Sequence, residues 1–200
     1  MISCLIPAYN EEKYIKNTIE SLKNTNLIDE IIVIDDASTD KTFEIIKKIK
    51  GIKIIKNYKN LGKTKCILRG LKSSSGNTIL LVDADLQGLN YFDLSNLIKP
   101  VENNELDITI AYGIPFVLKK FSGLRCLKRE IFNLLNERKL KTANYGLEKI
   151  INKAIKKHNL KFKYIKMQKI RNIHKIKKYG LIKGLKLTIK MYLEIIINLF

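Results

Sequence analysis

The run Leu80-Leu81-Val82-Asp83-Ala84-Asp85-Leu86-Gln87 carries the clearest chemistry in the chain. Three apolar residues that suit the interior of a buried strand are followed at once by two carboxylates and an amide at alternate positions. In extended chain, residues i, i+2 and i+4 point to one side, so Asp83, Asp85 and Gln87 are expected to offer oxygen atoms to one point in space. Two carboxylates at that spacing repel each other unless a cation sits between them. Mg2+ and Mn2+ suit such a set, because they use one or two carboxylates and complete their shells with water and substrate phosphate. Asp83, Asp85 and Gln87 are therefore metal-ligand candidates, with Asp85 also a candidate for catalysis. The plainer alternative is a helix cap or a solvated turn.

Two more polar clusters follow apolar runs, "PAYNEE" (7–12) after "ISCLIP" (2–7) and "DDASTD" (35–40) after "EIIVID" (30–35). The spacing predicts strands over 2–7, 30–35, 52–56 and 77–83, alternating with helices over 11–24, 41–50 and 63–74. Ser38-Thr39-Asp40 supplies N-cap chemistry for the second helix. Such alternation implies right-handed βαβ units, a parallel sheet and helices on both faces. Ligands in such sheets bind beyond the carboxyl ends of the strands, where all three polar clusters fall. Further on, helices are expected over 90–101, 123–136 and 146–159, and strands over 106–112 and 161–167.

The segments "CLIPAYNEEKYI", "IIVIDDASTDKT", "NLGKTKCILRGL" and "ILLVDADLQG" together resemble the nucleotide-sugar-binding half of family 2 glycosyltransferases, which have the GT-A fold. The form "DADLQ" is similar to the polyprenyl- and dolichyl-phosphate sugar synthases of that family. The resemblance implies a mostly parallel, Rossmann-like α/β sheet flanked by helices. It implies that Pro7, Tyr9, Glu11 and Asp35 or Asp36 line the base and ribose of a UDP- or GDP-type donor, with Asp36 favoured for the base. It places Asp83 and Ala84 beside the ribose and metal, and Asp85 with Gln87 on the cation that faces the diphosphate. A Lewis acid there would stabilise the charge left on the departing phosphate. Tyr9 also suits core packing, and Glu11 also suits a helix start. Lys63 belongs, on this resemblance, to a loop near the donor, and Gly70 lets the following helix pack closely. Gly62-Lys63-Thr64 also matches the tail of a P-loop, but Asn57 stands where that motif needs glycine.

The resemblance extends into the second half. "SGLRCLKREIF" (122–132) is similar to the acceptor-side segment, so Arg125 and Arg129 are expected to steer or clamp an anionic acceptor. "NYGLEKIINKAIKKHNLKFKYI" (144–165) is similar to the segment that carries a catalytic acid, and Glu148 is its matching carboxylate. Its implied task is to accept the proton of an acceptor hydroxyl during inverting attack on the anomeric carbon. Glu148 equally suits the first turn of a helix. The implied acceptor is lipid-linked or a polysaccharide.

Composition bounds these readings. Two hundred residues suit one domain with a sizeable core. Three cysteines without metal spacing read as buried free thiols in a reducing, cytoplasmic setting, and His158 and His174 show no metal spacing either. Lys and Arg number 38 against 19 Asp and Glu, a net charge of +19, and beyond Glu148 the only acidic side chain is Glu194. The expected organisation is a transferase domain over 1–168, with a donor half at 1–90 and an acceptor half at 91–168, and a basic segment over 169–200. Over 179–200 the apolar residues form a helical stripe with Lys183, Lys186, Lys190 and Glu194 opposite. That pattern fits a helix lying on the anionic inner face of a membrane, or packing on protein, better than a crossing. The remaining alternatives are sugar-phosphate nucleotidyl transfer and a basic nucleic-acid module. "PAYNEE" lacks the glycine- and arginine-rich loop of the first, and no interleaved aromatic platform supports specific nucleic-acid binding.

Overall fold

The computed structural model describes residues 1–113, 122–136, 138, 140 and 146–172. The chain divides into two compact units, Met1–Ile170 and Arg171–Phe200. The amphipathic segment expected over 179–200 lies outside the described residues. Among those described, no helix is long and apolar enough to cross a membrane.

The first unit alternates strand and helix through its first half: β1 (Ile2–Ala8), α1 (Ile15–Lys23), β2 (Glu30–Asp35), α2 (Thr42–Lys47), β3 (Lys53–Lys56), α3 (Lys63–Lys72) and β4 (Thr78–Leu81). A two-residue strand β5 (Leu86–Gln87) precedes α4 (Tyr91–Glu102), β6 (Ile108–Tyr112), β7 (Arg125–Lys128), a 3-10 helix (Arg129–Leu134), α5 (Leu147–Lys157) and β8 (Phe162–Lys166). Seven strands form one sheet in the order β3-β2-β1-β4-β7-β6-β8. The pairs β1–β2, β1–β4, β2–β3 and β6–β8 are parallel, whereas β7 runs antiparallel to both β4 and β6.

Two apolar layers sandwich the sheet, and side-chain alternation along each strand feeds both. Cys4, Ile6 and Ala8 of β1 join one layer with Ile15, Ile19 and Leu22 of α1 and Leu94, Leu97 and Val101 of α4. Leu5 joins the other, with Cys66 and Ile67 of α3 and Leu147, Ile151 and Ile155 of α5. The helical residues recur at three- and four-residue steps, which gathers one buried stripe per helix. Gly70 sits where α3 meets the sheet: a Cβ there would lie 2.8 Å from Ile34 Cδ1 and 3.2 Å from Leu5 Cδ2. The close packing expected from this glycine is what the structure shows.

Two elements depart from their expected form. The stretch 123–136 is strand β7 followed by a 3-10 helix, and not an α-helix. Its apolar residues fit either period, and the gap between β4 and β6 selects the strand, because both neighbours offer unpaired backbone groups there. Helix α4 continues through Pro100 to Glu102. The burial of Leu97, Ile98 and Val101 on the core offsets the backbone hydrogen bond that Pro100 cannot donate. Asn90 caps the start of α4, its Oδ1 accepting from the Asp93 N–H at 3.1 Å.

Gly76 links β1 to β4: its N–H donates to Ser3 Oγ at 2.8 Å, and an added Cβ would press on the Met1 carbonyl and the Ser3 backbone. Gly76→Ala is therefore expected to destabilise the fold by about 1–3 kcal/mol through overpacking, read as a lower chemical-denaturation midpoint with an unchanged slope.

Candidate active site

The carboxyl ends of β1, β2 and β4 carry the site. The loops that leave β1 and β2 are laced together by hydrogen bonds. Asn10 N–H donates to Ser38 Oγ at 3.0 Å, and Asn10 Oδ1 accepts from Thr39 N–H at 2.8 Å. Glu11 N–H donates to Thr42 Oγ1 at 2.7 Å, and Lys41 N–H to Glu12 Oε2 at 3.0 Å. Asp40 accepts from the Thr42 N–H at 2.9 Å, but the N-cap position of α2 falls on Lys41, which makes no side-chain cap hydrogen bond. Pro7 is the penultimate residue of β1, and Tyr9, just past the strand's end, is 42 % exposed, so it is not a core residue.

The two aspartates at the end of β2 are differently engaged. Asp36 is buried, and its oxygens accept from Asn57 Nδ2 at 2.7 Å and from the N–H groups of Leu61 and Gly62 at 2.8 Å each. Three of roughly four lone-pair sites thus hold the loop that leads into α3. Arg69 completes the support by donating to Asn57 Oδ1. Asp35 is fully buried, and neither of its oxygens reaches a hydrogen-bond partner of normal geometry among the described residues. Burial raises its carboxyl above the ordinary value, with nearby Ser38 opposing.

The loop held by Asp36 delivers Lys63, whose ammonium stands between two carboxylates. Lys63 Nζ lies 2.5 Å from Asp83 Oδ1 and 2.8 Å from Glu148 Oε1, with about a fifth of each of the Lys63 and Glu148 side chains still exposed. Glu148 comes from the first turn of α5. Burial pushes its carboxyl up, but the Lys63 ammonium outweighs that and holds it below its ordinary range. Burial pushes Lys63 down, and Asp83 and Glu148 outweigh it, leaving the amine above its ordinary value. Gly123 makes room for the cluster: a Cβ on it would overlap Asp83 and come within 2.6 Å of Lys63 Nζ.

The turn after β4 differs from the extended form expected. The strand ends at Leu81, residues 82–85 turn, and Leu86 N–H donates back to the Asp83 carbonyl at 3.3 Å. The three oxygen-bearing residues therefore do not alternate along one extended strand. Ala84 is buried in this turn, and Gln87 Nε2 donates to the Leu86 carbonyl at 3.2 Å. The Lys63 ammonium already offsets the charge of Asp83, so the mutual repulsion argued from sequence is partly met within the protein. Among the described residues no three His, Cys, Asp or Glu side chains group to hold a metal. Two carboxylates on one turn fit an ion that draws its remaining ligands from phosphate and water.

The two arginines fall elsewhere. Arg125 is fully buried on β7, donating from Nε to the Ser122 carbonyl at 2.8 Å and from Nη1 to Asn152 Oδ1 at 2.8 Å and the Glu148 carbonyl at 3.4 Å. Burial brings its pKa down to about 10. It stands behind Glu148 and is not an exposed helix residue. Arg129 lies at the amino end of β4, where its guanidinium donates to the carbonyls of Gly76 and Leu71 and to Ser74 Oγ. The structure does not bring Arg129 to the strand ends that hold Lys63 and Asp83.

A strap closes the other side. Asp93, almost fully buried, accepts from the N–H groups of Gln168 and Lys169 at 3.2 and 3.4 Å, and Met167 N–H donates to the Tyr112 carbonyl at 2.9 Å. The strap crosses Gly88, whose φ of +80° and contact with the Lys169 carbonyl leave no space for a side chain. Gly123, Asn152, Asn57, Arg69 and Asp93 were not singled out from sequence. Only Gly123, beside Ser122 ahead of an apolar run, carried a local signal.

Residues 3–147 match the model of the family described as glycosyl transferase family 2. The chain belongs to this family. Among its relatives, a UDP-N-acetylglucosamine–dolichyl-phosphate N-acetylglucosaminyltransferase of Methanococcus voltae is 31% identical over 133 residues, 57% of this chain and 52% of the relative. A dolichol-phosphate mannosyltransferase of Pyrococcus furiosus is 34% identical over 91 residues, 43% of this chain and 26% of the relative. The chain thus spans about a quarter to a half of these relatives' length. Glucosyl-3-phosphoglycerate synthase of Mycobacterium tuberculosis, solved with Mn2+, UDP and glucosyl-3-phosphoglycerate, shares the fold with a TM-score of 0.73 at 23% identity, over 86% of this chain and 72% of that one. The GT-A architecture follows from that likeness and the sheet order.

The Lys63–Glu148 pair has a defined pH window. A carboxyl lowered by folding contributes stability above its ordinary pKa, 4.5 here, and loses it as pH falls through the folded value. An amine raised by folding contributes below its ordinary 10.5 and loses it as pH climbs through the folded value. The thermal midpoint should therefore show a plateau between these limits and an acid-side fall, and Lys63→Met should lower the plateau and blunt that fall. Superimposable midpoint-against-pH curves for the two proteins would show the pair contributes nothing.

Proposed function

We propose that this family 2 glycosyltransferase is metal-dependent and inverting, moving a sugar from a nucleoside-diphosphate donor to a lipid-linked or membrane-presented acceptor. The observation that carries the reading is Lys63 held between Asp83 and Glu148 at the carboxyl ends of the strands. The relatives' names, which include dolichyl-phosphate acceptors, support the acceptor class.

On this reading the base and ribose lie along Pro7, Tyr9 and Glu11 with Asp35, whose buried carboxylate, beside Ser38, is an acceptor for hydroxyl or imide protons. Asp36 holds the loop of Lys63 and is the residue favoured for the base. Asp83 and Asp85, with the Gln87 amide oxygen, are the residues that would hold Mg2+ or Mn2+. The ion would supply Lewis-acid stabilisation of the charge on the leaving diphosphate.

Lys63 then changes partner. A donor diphosphate offers its ammonium more negative charge than Glu148 does, so Lys63 moves to the phosphate oxygens and releases Glu148. The freed carboxylate, no longer held low by Lys63 and still buried beside Arg125, gains basicity. It accepts the proton of an acceptor hydroxyl as that oxygen attacks the anomeric carbon opposite the leaving group. A phosphate acceptor, already ionised, needs no such base, and Glu148 then serves only to position Lys63.

Turnover of UDP- and GDP-sugars with Mn2+ tests the reading. Chelation should abolish transfer, Asp85→Asn should lower kcat about a hundredfold or more, and Lys63→Met should raise KM for the donor. Transfer that survives both EDTA and Asp85→Asn would overturn the metal assignment. With a phosphate acceptor Glu148→Gln should retain most of kcat, whereas with a hydroxyl acceptor it should lose about two to four orders of magnitude.

A further inference from the structure

Thr18 lies on the buried face of α1, fully enclosed beside Ile15, Ile19 and Leu22. A hydroxyl among such neighbours costs free energy unless it is bonded, and valine would fill nearly the same volume without that cost. Its oxygen lies 2.9 Å from the Ala84 carbonyl and 3.1 Å from the Leu86 carbonyl, both buried and more than sixty residues away in sequence. These are the carbonyls on either side of Asp85. The hydroxyl is also 3.2 Å from the Tyr14 carbonyl of its own helix, but the Thr18 N–H already donates to that oxygen at 3.1 Å. The two carbonyls of the turn, at 2.9 and 3.1 Å, lie nearer the hydroxyl than the helix's own at 3.2 Å.

We infer that Thr18 is a positioning residue that sets the direction of Asp85. One donor within reach of the Ala84 carbonyl, in the peptide that leads into Asp85, and of the Leu86 carbonyl, in the peptide that leads into Gln87, holds the turn at both ends and with it the direction in which Asp85 leaves. The Leu86 N–H to Asp83 carbonyl bond closes the turn locally, while Thr18 ties it to a helix whose face is locked in the core. Groups that orient a metal ligand without touching the ion are worth about ten- to a hundredfold in metal affinity. This inference rests on the donor-site reading above, in which Asp85 faces the cation.

The test measures Mn2+ binding by paramagnetic resonance in the presence of UDP, on the full chain and on Thr18→Val and Thr18→Ser. Thermal midpoints are recorded beside it. Thr18→Val should weaken Mn2+ binding about tenfold, and Thr18→Ser, which keeps the donor, should stay within about threefold of the parent. Equal Mn2+ affinity in Thr18→Val and the parent overturns the inference alone, as does a Thr18→Ser loss as large as that of Thr18→Val. If the parent binds no Mn2+ with UDP, the donor-site reading fails and takes this inference with it. Should Thr18→Val not fold, Thr18→Ala against Thr18→Ser gives the same decision.

Discussion

One ammonium group organises this site. Lys63 draws together the start of α3, the turn after β4 and the first turn of α5, and its partner Glu148 is 85 residues distant in sequence. Burying a lone charge is costly, and here two cations and two anions, Lys63, Arg125, Asp83 and Glu148, offset one another in a partly enclosed space. Removing any one leaves the rest uncompensated. These four side chains are neutral in sum.

The surrounding fold is a frame for that group. Asp36 spends its oxygens on the loop that delivers Lys63, and Arg69 and Asn57 hold Asp36 in turn. The loops leaving β1 and β2 are tied by side-chain to backbone hydrogen bonds, so the chain itself fixes their conformation. Gly123 lets one segment approach Asp83 and Lys63, and Gly88 lets the 167–169 strap cross beneath the turn. Preorganisation of this kind lowers the entropic cost of aligning reactants.

Much of the first half was legible in sequence because its signals are local. The continuous apolar runs of β1, β2 and β4 show strands buried on both faces, the three- and four-residue steps of α1 and α3 show one buried stripe each, and polar clusters mark the strand ends. Less was legible after residue 90. "RCLKREIF" has no period that separates strand from helix, so its state was decided by the opening between β4 and β6. Arg125 and Arg129, four residues apart, read as one basic face, yet one lies behind Glu148 and the other grips the opposite end of β4. Direction along a strand followed by a tight helix cannot be taken from spacing.

Residue types and their order determined, by themselves, the α/β class, and they pointed to the carboxyl ends of the strands and to Lys63, Asp83 and Glu148 as candidates. The class follows from periodicity and the candidates from motif and resemblance, which are properties of neighbouring residues. Only tertiary structure decided that Asp83 is paired to Lys63 instead of standing free, that Asp36 holds the loop leading into α3, and that Thr18 reaches the turn around Asp85. Those outcomes depend on distances between segments far apart in the chain, and such distances exist only once the sheet order and the packing of α1, α3 and α5 against it are in place.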